Sequence, residues 1–177
     1  MADTEDDHHV IDGAGLIRHL TDAEIIVERE DDLTLSETFE RVWYDRMGQL
    51  RDDEHLRDVL QEEFDIDSDE IRFDEDEDGR FNVRHDGTTM GTWTSEAAFV
   101  ADIALYTFLD EWFHLWDRLD GLSRSELLSR LRGFLERCPL CDGHLELLEQ
   151  EDEASGGTEV TILCAECDRI VFDGTFF

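Results

Sequence analysis

The chain has 177 residues, 48 acidic against 15 basic, a formal net charge of −33 and 40 % hydrophobic residues. All 15 bases are Arg, with no Lys. The apolar fraction can fill a core. With only 4 Cys, 12 Gly and 1 Pro, the composition excludes a chain disordered throughout, a collagen-like fibre, a disulfide-dense mini-protein and a basic nucleic-acid binder of the usual kind.

In chain order, residues 1–15 read as an acidic, disordered arm. Its start, Met1 to His9, is charged and has no apolar stretch behind a positive head, unlike a secretory signal. Residues 16–122 read as an α+β domain. Leu16 to Val27 is ambiguous: Thr21-Asp-Ala-Glu24 fits a capping box, and Ile25-Ile-Val27 favours a strand. Thr34-Leu-Ser-Glu37 is a second capping box. Phe39, Val42, Trp43 and Met47 after it share one helix face. Leu56, Val59, Leu60 and Phe64 predict another amphipathic helix from about Asp52 to Phe64.

The period then drops to two. Ile71/Phe73, Phe81/Val83 and Met90 with Trp93, separated by Asp78-Gly79 and Asp86-Gly87, predict a three-stranded antiparallel meander with one buried face. Ser95-Glu96 opens a helix predicted to reach about Leu119, apolar over most of its circumference. Residues 123–137 read as a connecting helix, started by the capping box Ser123-Arg-Ser-Glu126 and running into Cys138. The segment Ala97 to Leu119 is interrupted by Asp102, Asp110, Glu111 and Asp117, so no membrane span is expected and a cytoplasmic location is.

The cysteines form two Cys-x2-Cys pairs, Cys138-Pro-Leu-Cys141 and Cys164-Ala-Glu-Cys167, with 22 residues between them. Two thiolates on one tight turn can ligate one ion, and two such knuckles complete the tetrahedron of soft ligands that Zn2+ requires. Three short strands are expected around them, at 144–148, 158–163 and 169–172, with residues 149–157 as a hairpin tip. Disulfides, a thioredoxin-like redox pair and an iron–sulfur cluster also use paired cysteines. One structural Zn2+ per chain is the expectation, and His144 reads as an ordinary strand residue rather than a fifth ligand.

This knuckle-strand-strand-knuckle-strand order over residues 138–177 resembles the zinc-ribbon superfamily, and the ribbons appended to many small proteins of halophilic archaea. The resemblance implies a β zinc ribbon with Cys138, Cys141, Cys164 and Cys167 as metal ligands. It implies no single function, since such ribbons serve transcription, translation, replication and adaptor proteins alike. The Lys-free acidity spread over every segment points the same way: it resembles the proteomes of salt-in halophiles, whose acidic surfaces stay hydrated at molar salt.

Other motifs carry less. Asp74-Glu-Asp-Glu-Asp-Gly79 matches the first half of a calcium loop, but the twelfth position is His85, and a hairpin turn is the better reading. His114 lies at helical spacing from Asp110 and Asp117, read as an ion-paired surface stripe. No nucleophile elbow, Walker lysine or GxGxxG is present, so no catalytic residue or organic cofactor is assigned. The only basic stretch is 118–137, with five Arg against three acids, a net of +2. Residues 138–177 carry one base against ten acids, a net of −9. The expected function is therefore non-enzymatic: a protein-binding or adaptor module with a protein partner, homodimerisation being open. The alternative is a nucleic-acid-associated transcription or translation factor using Arg124–Arg137, and an enzyme with an unrecognised N-terminal site comes third.

Overall fold

The computed structural model describes residues 13–176. The expected arm at 1–12 lies outside the described residues; positions 13–15, assigned to the same arm, form the first turn of a helix. The chain is mixed α+β: helices with two small antiparallel sheets, then a C-terminal three-stranded sheet that carries the four cysteines.

The ambiguous segment resolves into both of its readings. α1 spans Gly13–Asp22 and β1 spans Ile26–Arg29. Thr21 caps nothing at a helix start: it sits in the last turn of α1 and donates its hydroxyl to Ile17 O at 2.8 Å. Strand β2, Asp32–Leu35, pairs antiparallel with β1 around Glu30 and Asp31. Both turn residues have positive φ (50° and 73°), the geometry that a tight two-residue hairpin demands.

Helix α2, Glu37–Gln49, begins later than the Thr34 box suggests. Its N-cap is Ser36, which accepts from Phe39 N at 3.3 Å while its own hydroxyl donates to Glu24 O at 2.6 Å. Phe39, Trp43, Tyr44 and Met47 are buried. Helix α3, Asp53–Phe64, is capped by Asp52 and ends at left-handed Asp65, burying Leu56 and Leu60.

The meander forms as expected: β3 (Ile71–Glu75), β4 (Phe81–His85) and β5 (Thr88–Trp93), paired in that order. The calcium-like stretch is a hairpin turn, closed by the Asp76 carboxylate accepting from Asp78 N and Arg80 N, while Asp74 pairs with Arg84. A register shift between Val83 and Arg84 turns Met90 outward, leaving it 46 % exposed rather than on the buried face.

The predicted helix 96–119 is not continuous. α4 spans Glu96–Tyr106, a short α5 spans Leu109–Trp112, and a 3-10 turn follows at Trp116–Arg118. The break falls at Thr107, whose hydroxyl donates to Ala104 O at 2.7 Å, and at Phe108, which leaves helical geometry. Its physical gain is burial. A straight helix cannot turn all sides of an almost wholly apolar cylinder inward, whereas the broken one buries Phe108, Leu109, Phe113 and Trp116 together. The stripe of Asp110, His114 and Asp117 is therefore not formed, and His114 is exposed.

α4 is the centre of the fold, with every residue from Ala97 to Leu105 buried. It packs on α2, on β5, on α6 (Gly121–Arg132) and on the last strand, β8 (Ile170–Phe176). α6 starts at N-cap Asp120, which accepts from Ser123 N at 2.8 Å, so the Ser123 box is inside the helix. The C-terminal sheet is β6 (Leu145–Asp152), β7 (Gly157–Cys164) and β8 (Ile170–Phe176), with β7 central. Its inner residues Leu145, Val160, Ile162, Val171 and Phe172 continue the same hydrophobic core. Among the described residues no helix is long and apolar enough to cross a membrane.

Candidate metal centre

Each Cys-x2-Cys pair sits on a turn of the same construction. In the first, Cys138 N donates to Gly143 O at 2.8 Å and Asp142 N to Cys138 O at 3.1 Å. In the second, Cys164 N donates to Arg169 O and Asp168 N to Cys164 O, both at 3.0 Å. The residue after each second cysteine, Asp142 or Asp168, is left-handed with φ 59°. Ala165 N donates to His144 O at 3.0 Å and links the two turns.

All four sulfurs lie within 4.8 Å of one another. Cys138 and Cys167 are 3.7 Å apart, Cys141 and Cys164 3.4 Å. A tetrahedral ion bound to sulfur at about 2.3 Å sets its ligand sulfurs roughly 3.8 Å apart. These separations fit that frame and are far from the ~2.05 Å of a disulfide. Backbone donors point at the sulfurs: Gly143 N to Cys141 Sγ at 3.4 Å, Glu166 N and Cys167 N to Cys164 Sγ at 3.4 and 3.5 Å. Such donors favour the thiolate that a metal requires.

Without an ion, the Cys138, Cys141 and Cys167 thiols differ in proton affinity. Burial pushes the Cys138 thiol up to about 12 and raises Cys141. Burial also pushes upward at Cys167, but the Arg169 backbone N–H, the Cys164 sulfur and the Arg169 side chain overcome it and hold this thiol at about 7. Gly143 completes the packing. A Cβ there would lie 2.8 Å from Cys164 Sγ and 3.1 Å from Cys141 Sγ, so no larger residue fits without moving the sulfurs.

Residues far away in sequence hold this centre in place. Arg51, after α2, makes a two-pronged ion pair with Asp142 at 2.8 and 3.0 Å and donates to Pro139 O at 2.9 Å. The Tyr44 hydroxyl accepts from Arg137 N at 2.9 Å and Glu136 N at 3.2 Å and donates to Arg137 O at 3.3 Å. On the second turn, Arg169 faces Glu96 at 3.7 Å, and Ser95 donates its hydroxyl to Ile170 O. Spacing alone gave no reason to single out Arg51, Tyr44 or Ser95; their role appears only once α2 and α4 are folded against the sheet.

His144 is exposed, lies outside the sulfur cluster and sits one residue before β6, in an isolated bridge with Arg137. The arginines of 124–137 do not form an open ridge. Arg124 bonds Trp116 O and Tyr106 Oη, Arg130 pairs with Glu126, Arg132 is buried against Asp102, and Arg137 lies 4.1 Å over the Tyr44 ring.

No curated protein and no solved structure matches the chain. The family comparison finds residues 15–133, the helices and the meander, and leaves the four cysteines outside the matched stretch. By that match the chain belongs to the family of unknown function DUF8054 and carries its central domain at residues 15–133.

Proposed function

We propose that this chain is a zinc-stapled, protein-binding adaptor module adapted to high salt, with a zinc ribbon at residues 138–177. The observation that carries the reading is the complete set of four cysteine sulfurs within 4.8 Å. Four protein ligands leave no coordination position for water or substrate, the arrangement of a structural rather than a catalytic zinc. Cys138, Cys141, Cys164 and Cys167 would hold the ion, and zinc would supply folding free energy to a sheet too small to stand alone.

The free edge of the ribbon supports docking, with Leu147 and Leu148 on opposite faces of it. β6 is an edge strand, and Leu147 and Leu148 on it are 56 % and 55 % exposed. Unpaired backbone groups beside exposed apolar side chains suit addition of a partner strand. The nucleic-acid alternative gains no support from Arg124–Arg137, since those guanidinium groups are engaged within the chain.

The test has two arms. Elemental analysis of the purified chain should find one zinc per molecule and no iron. Affinity capture in molar salt should recover a protein partner with the parent chain and lose it with Leu147→Glu and Leu148→Glu together. Zinc without capture would reduce the reading to a structural metal protein. Capture of nucleic acid that weakens steeply with salt would favour the alternative.

A further inference from the structure

A cleft of about 510 Å³ opens between β5, the end of α3, α4 and α6. That volume is within the range of small-molecule sites. Phe64, Trp93, Ile103, Tyr106 and Leu128 form its walls, and Met90 stands at its exposed rim. Gly91 leaves room for the Trp93 ring; a Cβ there would lie 2.6 Å from the indole.

On α6 the cleft is lined by Gly121, Arg124, Ser125, Leu128 and Arg132, whose spacing marks one face of the helix. Three charged residues line the whole space: Asp102, Arg124 and Arg132. Asp102 and Arg132 are buried and paired with each other, so both charges are already taken. Arg124 is different, because its side chain is 26 % exposed. Its Nε donates to Trp116 O at 3.2 Å and its Nη1 to Tyr106 Oη at 3.4 Å, while the Trp116 ring lies 4.8 Å from the guanidinium carbon. These contacts fix the group in place beside Tyr106, a wall of the cleft, without exhausting its five N–H donors. Nη2 comes no nearer than 4.0 Å to Asp117, whose side chain is 90 % exposed; that separation is too long for a hydrogen bond.

The cleft therefore carries one positive charge beyond its internal pair, in a chain of net charge −33. A lone cation on an apolar wall, against so acidic a background, selects the sign of a ligand. A guanidinium takes a carboxylate through two parallel N–H bonds, and the aromatic walls favour a flat body. We propose that the cleft binds an aromatic carboxylate, its ring among the aromatic walls and its carboxylate on Arg124. This site lies within residues 60–132 and is independent of the cysteine cluster and of the adaptor reading.

The full chain, at neutral pH in molar potassium chloride, is titrated by calorimetry with 2-naphthoate, 2-naphthamide and 2-naphthylmethylamine, probes that share a ring system and differ in the charge of the head. Partly buried ion pairs keep much of their strength at this salt. Naphthoate should bind at least about tenfold more tightly than the amide or the amine, the scale of a charge-assisted hydrogen bond, and should shift the Trp93 indole N–H resonance. Arg124→Gln should abolish that preference and Arg124→Lys should restore part of it. Asp117→Asn, on an exposed side chain, removes the competing acid without touching the fold and should tighten naphthoate about twofold, as a surface ion pair would, with the amide unchanged. Ser125→Trp, on the exposed side of α6, should weaken all binding at unchanged melting temperature. The proposal is overturned if no probe binds, if the amide or the amine equals naphthoate, if folded Arg124→Gln keeps the parent's preference, or if Asp117→Asn and Ser125→Trp both leave naphthoate affinity unchanged.

Discussion

Asp102 and Arg132, 30 residues apart, meet in the interior and tie the central helix α4 to α6. Burial pushes the Asp102 carboxyl above its ordinary range, and the opposing pull of Arg132 and Trp93 offsets this only in part. Neither residue can lose its partner without stranding a charge.

Arg132→Ala should therefore destabilise the fold by about 3–5 kcal/mol, as expected when one member of a buried pair is removed. The double variant Asp102→Leu with Arg132→Met keeps the volume and removes both charges, and should recover most of that loss. Denaturant melts of the two single variants and the double close the cycle. A double variant as unstable as the worse single one would contradict the account.

How far these relationships could be read from the sequence depends on their range. Period-two runs with Asp-Gly turns gave the meander, and two Cys-x2-Cys pairs gave the four sulfurs, because each signal is local. Helix α3 was legible from Asp52 to Phe64 for the same reason. The break at Thr107 was not, because nothing local forbids a helix there; the drive is burial of Phe108, Leu109, Phe113 and Trp116 against the rest of the core. Asp102 looked like an interruption of an apolar run, and its partner lies on another helix. The β1–β2 hairpin was hidden because Glu30-Asp31 takes a turn usually signalled by Asn-Gly.

Gly143 gives a test local to the sulfurs. Gly143→Ala places a Cβ within 2.8 Å of Cys164 Sγ, against a backbone fixed by the Cys138 bond. Metal affinity should fall at least about tenfold, since displaced ligands are as damaging as lost outer-shell contacts. Competition with a chromogenic chelator measures it. The helical circular dichroism signal should stay unchanged, because the nearest atoms that the new Cβ would meet, Cys164 Sγ, Cys141 Sγ and Glu166 Cβ, belong to the knuckle turns.

The salt prediction follows from charge alone. With 48 carboxylates and 15 arginines, repulsion reaches about 10 Å at 0.1 M salt and about 3 Å at 1 M. Dialysis from molar to tens-of-millimolar potassium chloride should expand or unfold the chain, seen by scattering and circular dichroism together. An unchanged signal would refute adaptation to high salt.

Trp112 probes what covers the central apolar segment. It is half-buried, and its ring meets Phe39 edge-on with centroids 5.2 Å apart. Full burial of a Trp is worth about 3–5 kcal/mol on truncation, so Trp112→Ala should cost a smaller amount, roughly 1–3 kcal/mol. Light scattering on the same variant checks the homodimer: dissociation at nearly unchanged stability would place the exposed part of the ring in an interface between copies.

Removal of the metal should be felt beyond the cysteines. The two knuckle turns are bound to the helices through Arg51–Asp142, Tyr44–Arg137 and Ser95–Ile170, and Val171 and Phe172 are buried in the shared core. Chelation, or Cys164→Ser, should unfold β6 to β8 and expose the flank of α4 that β8 covers. The helices should persist, since α4 also packs on α2, on α6 and on β5. Their melting temperature should drop by several degrees, in line with about 1 kcal/mol for every few degrees in a domain of this size. Hydrogen exchange separates the outcomes. Fast exchange confined to residues 138–176, with α4 slowed relative to the unfolded chain, is the expected pattern. Fast exchange throughout would show that the helical part cannot fold without the metal, and unchanged exchange after complete chelation would show that the four cysteines hold no structural ion.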